Sequence, residues 1–154
     1  MTPRQLALVR ETFDRLRPLP KDFGLSFYER LFRADPSSKA LFRGNLENQA
    51  AMFATALTMS VSGLGEAGYV PASVRELGAR HQEYGVPDAF YGVFGEALLG
   101  TLEEKLGGDF TSEVREAWAA AFEALSAAMK DAGAQARAAK EGKAEAPETK
   151  PPGR

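Results

Sequence analysis

The sequence predicts a single all-α domain, and three observations predict it. Apolar residues recur at intervals of three and four through every long segment, as one face of a 3.6-residue helix requires. Prolines stand at the boundaries of those segments, where a missing N–H and a fixed φ do least harm. No run alternates β-branched and polar residues between turn signals, so no strand is expected.

Each element can be justified in order, to a total of six or seven helices. Thr2-Pro3-Arg4-Gln5 reads as a capping box with proline at the first helical position. Leu6, Val9, Phe13 and Leu16 then follow one face until Pro18 and Pro20 break the chain. Phe23, Phe27 and Leu31 mark a second helix that stops at Asp35-Pro36, and Pro36 opens a short turn of helix ending near Phe42. From Glu47 to about Leu64 a third long helix carries Phe53, Leu57, Val61 and Leu64 on one face. Small uncharged residues cover much of its remainder, which predicts packing on both sides. Gly63, Gly65 and Gly68 loosen the next connection, and a short helix starts near Pro71, with Val74, Leu77 and His81 on its apolar face. After Val86-Pro87 the stripe Tyr91, Phe94, Leu98, Leu102, Leu106 predicts a long helix ending at Gly107-Gly108. Thr111 is the expected cap of the last helix, whose face is Val114, Trp118, Phe122, Leu125 and Met129.

With 154 residues and 44% apolar content the chain can bury one real core. Nineteen Lys and Arg against 21 Asp and Glu give a net charge of −2, without the basic face of a nucleic-acid binder. Cysteine is absent and histidine occurs once, which excludes thiolate metal sites, iron–sulfur clusters and paired-imidazole zinc chemistry. The start of the chain carries charges throughout and reads as no signal peptide. The uncharged run Asn48 to Gly65 reads as a buried helix rather than a membrane span. A cytoplasmic protein is the expectation. After Gly133 the chain lacks large apolar residues, so residues 1–133 are expected to form the folded domain and 134–154 a disordered, weakly basic tail.

Three constellations can carry chemistry, each with a plainer reading beside it. His81 on an apolar face is either a satisfied core residue or a metal ligand. A flat hydrophobic cofactor held between two long helices needs only one imidazole, leaving the opposite iron face open to a gas. Tyr28, beside the stripe of the second helix, and Gln49, opening the uncharged helix, are either boundary residues or a pair of donors aimed at one ligand. Tyr91, early in the next helix, either packs in the core or orients His81 from behind. No phosphate loop, calcium loop or paired-acid motif is present.

The stretch LGARHQEYGVPDAFYGVFGEALLGTLEEKLGGDFTSEVREAWAAAF (Leu77 to Phe122) closely resembles bacterial single-domain haemoglobins and the globin domain of flavohaemoglobins. SFYERLFRADPSSKALF upstream resembles the same family, and the likeness covers about residues 4 to 131. The resemblance implies a globin fold around a haem b pocket, with His81 as proximal iron ligand, Phe42 stacked on the haem and Tyr28 as distal tyrosine. It further implies that Phe53, Leu57 and Leu77 contact the cofactor, as do Val86, Tyr91 and Phe94. Arg80 is placed to reach a propionate or to make a surface salt bridge. For the distal glutamine one register lands on Phe53 and needs a gap before His81. The gapless register lands on Gln49 and keeps Phe53, Leu57 and Val61 facing inward, and it is preferred.

Two departures from the pattern stand out. Flavohaemoglobins are similar in carrying a proximal His–Tyr–Glu relay, yet here the glutamate position falls on Gly133, with Asp131 out of register. Phe122 stands where relatives commonly have tyrosine. The resemblance implies reversible O2 binding on ferrous iron, with NO, CO or sulfide as further ligands. The alternative is a nitric oxide dioxygenase forming nitrate. That activity would draw on a separate reductase, because the chain has no room for flavin and nicotinamide domains. The expected assembly is a monomer or weak homodimer, with no nucleic-acid or membrane partner.

Overall fold

The computed structural model describes residues 1–42, 44–65, 72–83 and 85–145. Among the described residues six α-helices follow one another: α1 Pro3–Leu16, α2 Lys21–Ala34, α3 Leu46–Gly63, α4 Ala72–Glu83, α5 Phe90–Leu106 and α6 Ser112–Glu145. Short 3-10 helices at Pro36–Leu41 and Gly107–Asp109 fill two connections, and no strand occurs among the described residues. The expected helix start at Pro71 and the loosening Gly68 lie outside the described residues.

Side-chain caps fix the starts of three helices, two of them, Thr2 and Thr111, at residues expected from the sequence. Gln5 N–H donates to the Thr2 hydroxyl at 3.1 Å while the Gln5 side chain accepts from Thr2 N–H at 2.9 Å, closing the capping box. Asn45 caps α3 by accepting from Glu47 N–H at 2.7 Å, and Thr111 caps α6 by accepting from Val114 N–H at 3.2 Å. Each cap satisfies a donor that the first turn leaves without a partner, typically worth about 1 kcal/mol.

The apolar stripes meet in one core. α2 packs on both α3 and α5, while α1 and α4 pack along α6. Val9, Phe13, Phe23, Phe27, Leu31, Leu102 and Trp118 are fully buried there, and each large side chain removed from water contributes roughly 1.5–3 kcal/mol. The buried indole is satisfied: Trp118 Nε1–H donates to the Thr12 hydroxyl at 2.9 Å, which donates in turn to the Leu8 carbonyl at 2.7 Å.

Two close approaches set the positions of α3 and α4. A Cβ on Gly24 would lie 2.6 Å from the Ala50 carbonyl oxygen, so α2 and α3 cross at those residues. A Cβ on Gly78 would lie 2.5 Å from the Met129 Cα, so α4 rests backbone-on-backbone against α6 one turn before His81.

The structure differs from the sequence expectation at the C-terminus. α6 continues through Glu145 instead of ending near Gly133. Missing apolar residues argue against burial but not against helix, and Ala, Gln, Lys, Glu and Arg extend a helix already nucleated upstream. Past Gly133 the described side chains are exposed apart from Ala136, which is half-buried; residues 146–154 lie outside the described residues.

Candidate functional site

His81 sits near the end of α4, half-buried. Its Nδ1 lies 2.7 Å from the Leu77 carbonyl oxygen. A carbonyl only accepts, so Nδ1 carries the proton and the Nε2 lone pair is left to face outward from that bond. Burial pushes the imidazole below its ordinary range, and the Leu77 bond offsets part of that shift. Near neutral pH the side chain is therefore neutral, the form that ligates a metal. The Val86 N–H donates to the His81 carbonyl at 3.1 Å, which ties the connection after α4 back to the backbone of His81.

Across the core α2 and α3 present a cluster of rings. Tyr28 is buried, with its ring edge-on to Phe42 at 4.9 Å and to Phe53 at 5.9 Å. Phe53 stacks on Phe27 at 4.1 Å and meets Phe94 edge-on at 5.8 Å. Phe42 reaches Phe90 at 6.4 Å, and Phe90 reaches Phe94 at 6.1 Å. The Tyr28 hydroxyl makes no hydrogen bond to any described residue, although its atom is not sealed from space. Burial raises its pKa to about 12, so the phenol remains a protonated donor throughout the working pH range.

Gln49 is half-buried in the first turn of α3, beside Ala50 at the α2–α3 crossing. Tyr28 lies one turn beyond Gly24 on the other side of that crossing, about 6 Å along the helix. The structure thus brings both residues within a turn of one contact. Of the other predicted residues, Leu57 is buried, Leu77, Val86 and Phe94 are half-buried, and Arg80 is exposed. Arg80 has no carboxylate partner among the described residues.

Tyr91 departs from its expected role. It is buried behind α4, but the orienting bond to His81 comes from Leu77 and not from the phenol. The carbonyl four residues back in the helix is within reach of this imidazole, and here it is taken. Tyr91 instead lies under the Lys130 ammonium, 5.5 Å above the ring, in a cleft shared with Gly78, Gln82 and Gly133. Burial and the nearby Asp88 charge both raise its pKa. Gly133 lines this cleft as well. A Cβ there would already lie 3.1 Å from the Gln82 Cβ. Asp131 is committed to Arg75 at 3.0 Å.

Sequence reasoning missed the Leu77 carbonyl, the Lys130–Tyr91 contact and the participation of Phe90 in the ring cluster. The spacing Phe90–Phe94 was an available signal for the last. Nothing in the sequence marks a backbone carbonyl as a side-chain partner.

A family model described as Globin matches residues 25–129. Similar curated proteins include the anaerobic nitrite reductase HBII of Casuarina glauca, 31% identical over 144 residues, spanning 84% of this chain and 90% of that protein. Leghemoglobin 2 of Sesbania rostrata is 31% identical over 143 residues, covering 85% and 97% respectively. The anaerobic nitrite reductase AHB2 of Arabidopsis thaliana is 30% identical over 144 residues, covering 84% and 91%. The chain belongs to the globin family.

That family implies a haem, and the residues present fit one. Among the described residues no group of three or more His, Cys, Asp or Glu could hold a metal ion. Iron would therefore need four ligands from a macrocycle and one from the chain, and His81 offers a neutral nitrogen with its proton fixed on the far side. Phe42, Phe90 and Phe94 offer the apolar ring surface that a flat porphyrin needs. No helix among the described residues is long and apolar enough to cross a membrane.

Proposed function

We propose that this protein is a haem b globin that binds O2 reversibly on ferrous iron, and that it is of the single-domain haemoglobin kind its sequence resembles. The observation that carries the proposal is the state of His81, its one histidine, neutral by burial and oriented by the Leu77 carbonyl at 2.7 Å. When bound, a haem supplies an iron centre with one coordination position for the imidazole and one for a diatomic gas. His81 holds the group, Phe42 covers its ring, and the exposed Arg80 guanidinium supplies a cation for a propionate. Tyr28 donates a hydrogen bond to a ligand that gains negative charge on binding, and Gln49 adds an amide donor from α3. Both are neutral donors, so ligand capture needs no proton transfer. CO, NO and sulfide enter as competing small ligands.

The test is the absorption spectrum of the purified protein in oxidised, dithionite-reduced and CO-exposed forms. A Soret band that shifts on reduction and again with CO supports the proposal. A colourless protein that stays colourless after incubation with haemin refutes it.

A second reading is nitric oxide dioxygenase activity, with a separate reductase supplying the one electron needed to turn NO and O2 into nitrate. Nitrogen-oxide chemistry is favoured by relatives named anaerobic nitrite reductases, and the Tyr28 donor suits an anionic ligand. Mixing the oxygenated protein with NO should yield nitrate above the buffer control. No excess nitrate eliminates this reading and leaves the first standing.

A further inference from the structure

One feature of α2 stands apart from the ring cluster. An open groove of about 570 Å³ runs between α2, the 3-10 helix and the first turn of α3. Its volume falls within the ~300–1,000 Å³ of sites that hold small organic ligands. Leu25, Phe32, Pro36 and Leu46 make its apolar wall, and Glu29, Arg33 and Lys39 supply its polar groups. Leu46 keeps 40% of its surface exposed, as one of three large apolar side chains described as exposed.

The charges at the groove do not cancel. Arg33 is neutralised by Glu29 on its own helix, at 2.9 Å. Lys39 has no carboxylate partner among the described residues, and its ammonium lies 5.7 Å over the Phe32 ring. One unpaired cation therefore sits above an uncovered apolar floor. The complement of that surface is one negative charge on a flexible apolar chain. A dianionic phosphate would meet the Glu29 carboxylate, and an alkylammonium would meet Lys39. Attachment to an acidic membrane draws on several clustered cations, and among the described residues that line the groove one is unpaired.

We propose that this groove binds a free straight-chain alkyl carboxylate, its head group on Lys39 and its chain along Leu25, Phe32 and Leu46. The site does not involve His81 or Gln49, and the proposal stands whether or not the haem reading does. It meets the ring cluster through Phe32, whose ring contacts Tyr28 at 5.7 Å and Phe42 at 5.8 Å.

The test titrates octanoate, decanoate and dodecanoate into the full-length protein as purified, by calorimetry. Affinity should rise with each added methylene, by less than the roughly fourfold that full burial gives, because the groove is open on one side. Lys39→Glu should weaken decanoate at least tenfold and leave decanol unchanged, while Leu46→Asp should weaken both. Both residues are exposed, and a retained helical circular-dichroism spectrum shows that the variants fold. A decanoate analogue with a terminal diazirine should label Leu25, Phe32 or Leu46. The proposal is overturned by any of four results: no heat above the buffer control, equal binding of decyltrimethylammonium, an unaffected Lys39→Glu variant, or labelling confined to Phe53 and Phe94. Binding only to phosphatidylglycerol vesicles, with none to the free acid, overturns it as well.

Discussion

The two sides of the core share one device and differ in another: each has a close backbone approach, Gly24 on Ala50 and Gly78 on Met129, and the α2–α3 side adds a cluster of rings. On the α2–α3 side, rings meet rings: Phe27 stacks on Phe53 at 4.1 Å and meets Phe94 edge-on at 4.6 Å, with Tyr28 against Phe42 at 4.9 Å. On the α4–α6 side, backbone meets backbone at Gly78 and Met129, where a single methyl group has no room. The first side presents ring faces and edges, the apolar surface that a flat ligand needs. The second fixes α4, and with it one imidazole, in a single place. If that division holds, His81→Ala should have the largest effect of any single change. Bound haem should fall from one per chain to background in a pyridine haemochrome assay, with partial recovery when imidazole is added. Undiminished haem in the variant would contradict both the division and the proposed function.

On the ring side the effect should appear in ligand kinetics. Tyr28→Phe keeps the ring and its packing and removes only a hydroxyl that bonds to no described residue. The fold should lose little stability. A hydrogen bond to a ligand that has gained charge is worth roughly 1.5–3 kcal/mol, so O2 dissociation should quicken about tenfold to a hundredfold. Stopped-flow replacement of O2 by CO measures it directly; an unchanged rate removes Tyr28 from the ligand's surroundings. The same phenol gives a pH signature. Its folded pKa of about 12 lies above the unfolded value of 10.0, so the unfolded chain releases its proton first as pH rises. Stability should fall between pH 10 and 12, by up to about 2–3 kcal/mol. Tyr28→Phe should flatten that part of the curve, and a curve of unaltered slope would mean that the buried phenol ionises freely.

On the α4–α6 side the corresponding change is Gly78→Ala. Its Cβ would meet the Met129 backbone, which cannot swing aside as a flexible side chain can. Overpacking of this kind typically costs about 1–3 kcal/mol. The melting temperature should drop, and the displacement of α4 should alter the iron–histidine stretching band of the reduced protein. Gly92→Ala is the matched control: nothing lies within 4 Å of a Cβ there, and the helix should gain up to about 1 kcal/mol. Equal effects from both substitutions would show that the seam is not tight.

How much of this was legible in the sequence follows the same line. The ring side announced itself, because Phe23, Phe27, Phe53 and Phe94 occupy helical stripes and periodicity reports faces directly. The place of His81 on the inner face of α4 was legible from the same spacing, whereas the ligand role rests on the family resemblance. The seam was not. Gly78 gives no sign of what lies above it until α6 is in place, and Leu77 contributes a carbonyl that every residue possesses. The length of α6 was misjudged because composition reports burial rather than helicity. Tyr91 was assigned to His81 from its position in the chain, whereas its ring contact is with Lys130 on α6. Partners brought together by tertiary approach are invisible to spacing along a single helix.

The smallest predicted effect tests what the seam does not depend on. Arg75 and Asp131 bridge α4 to α6 at 3.0 Å, and Gln135 also donates to Asp131 at 3.1 Å. The arrangement looks like a clamp holding the histidine-bearing helix in place. Yet the Arg75 and Asp131 side chains keep 40% and 58% of their surface, where solvent screens charge and two long side chains lose freedom to hold one geometry. Pairs of this kind contribute about 0–1 kcal/mol. Arg75→Ala should therefore lower stability by less than about 1 kcal/mol, an effect that shrinks further in high salt. The absorption spectrum and the iron–histidine band should stay where they are. A shift in that band without a comparable loss of stability would locate the positioning of His81 in the ion pair, and take it away from the close approach of Gly78 to Met129.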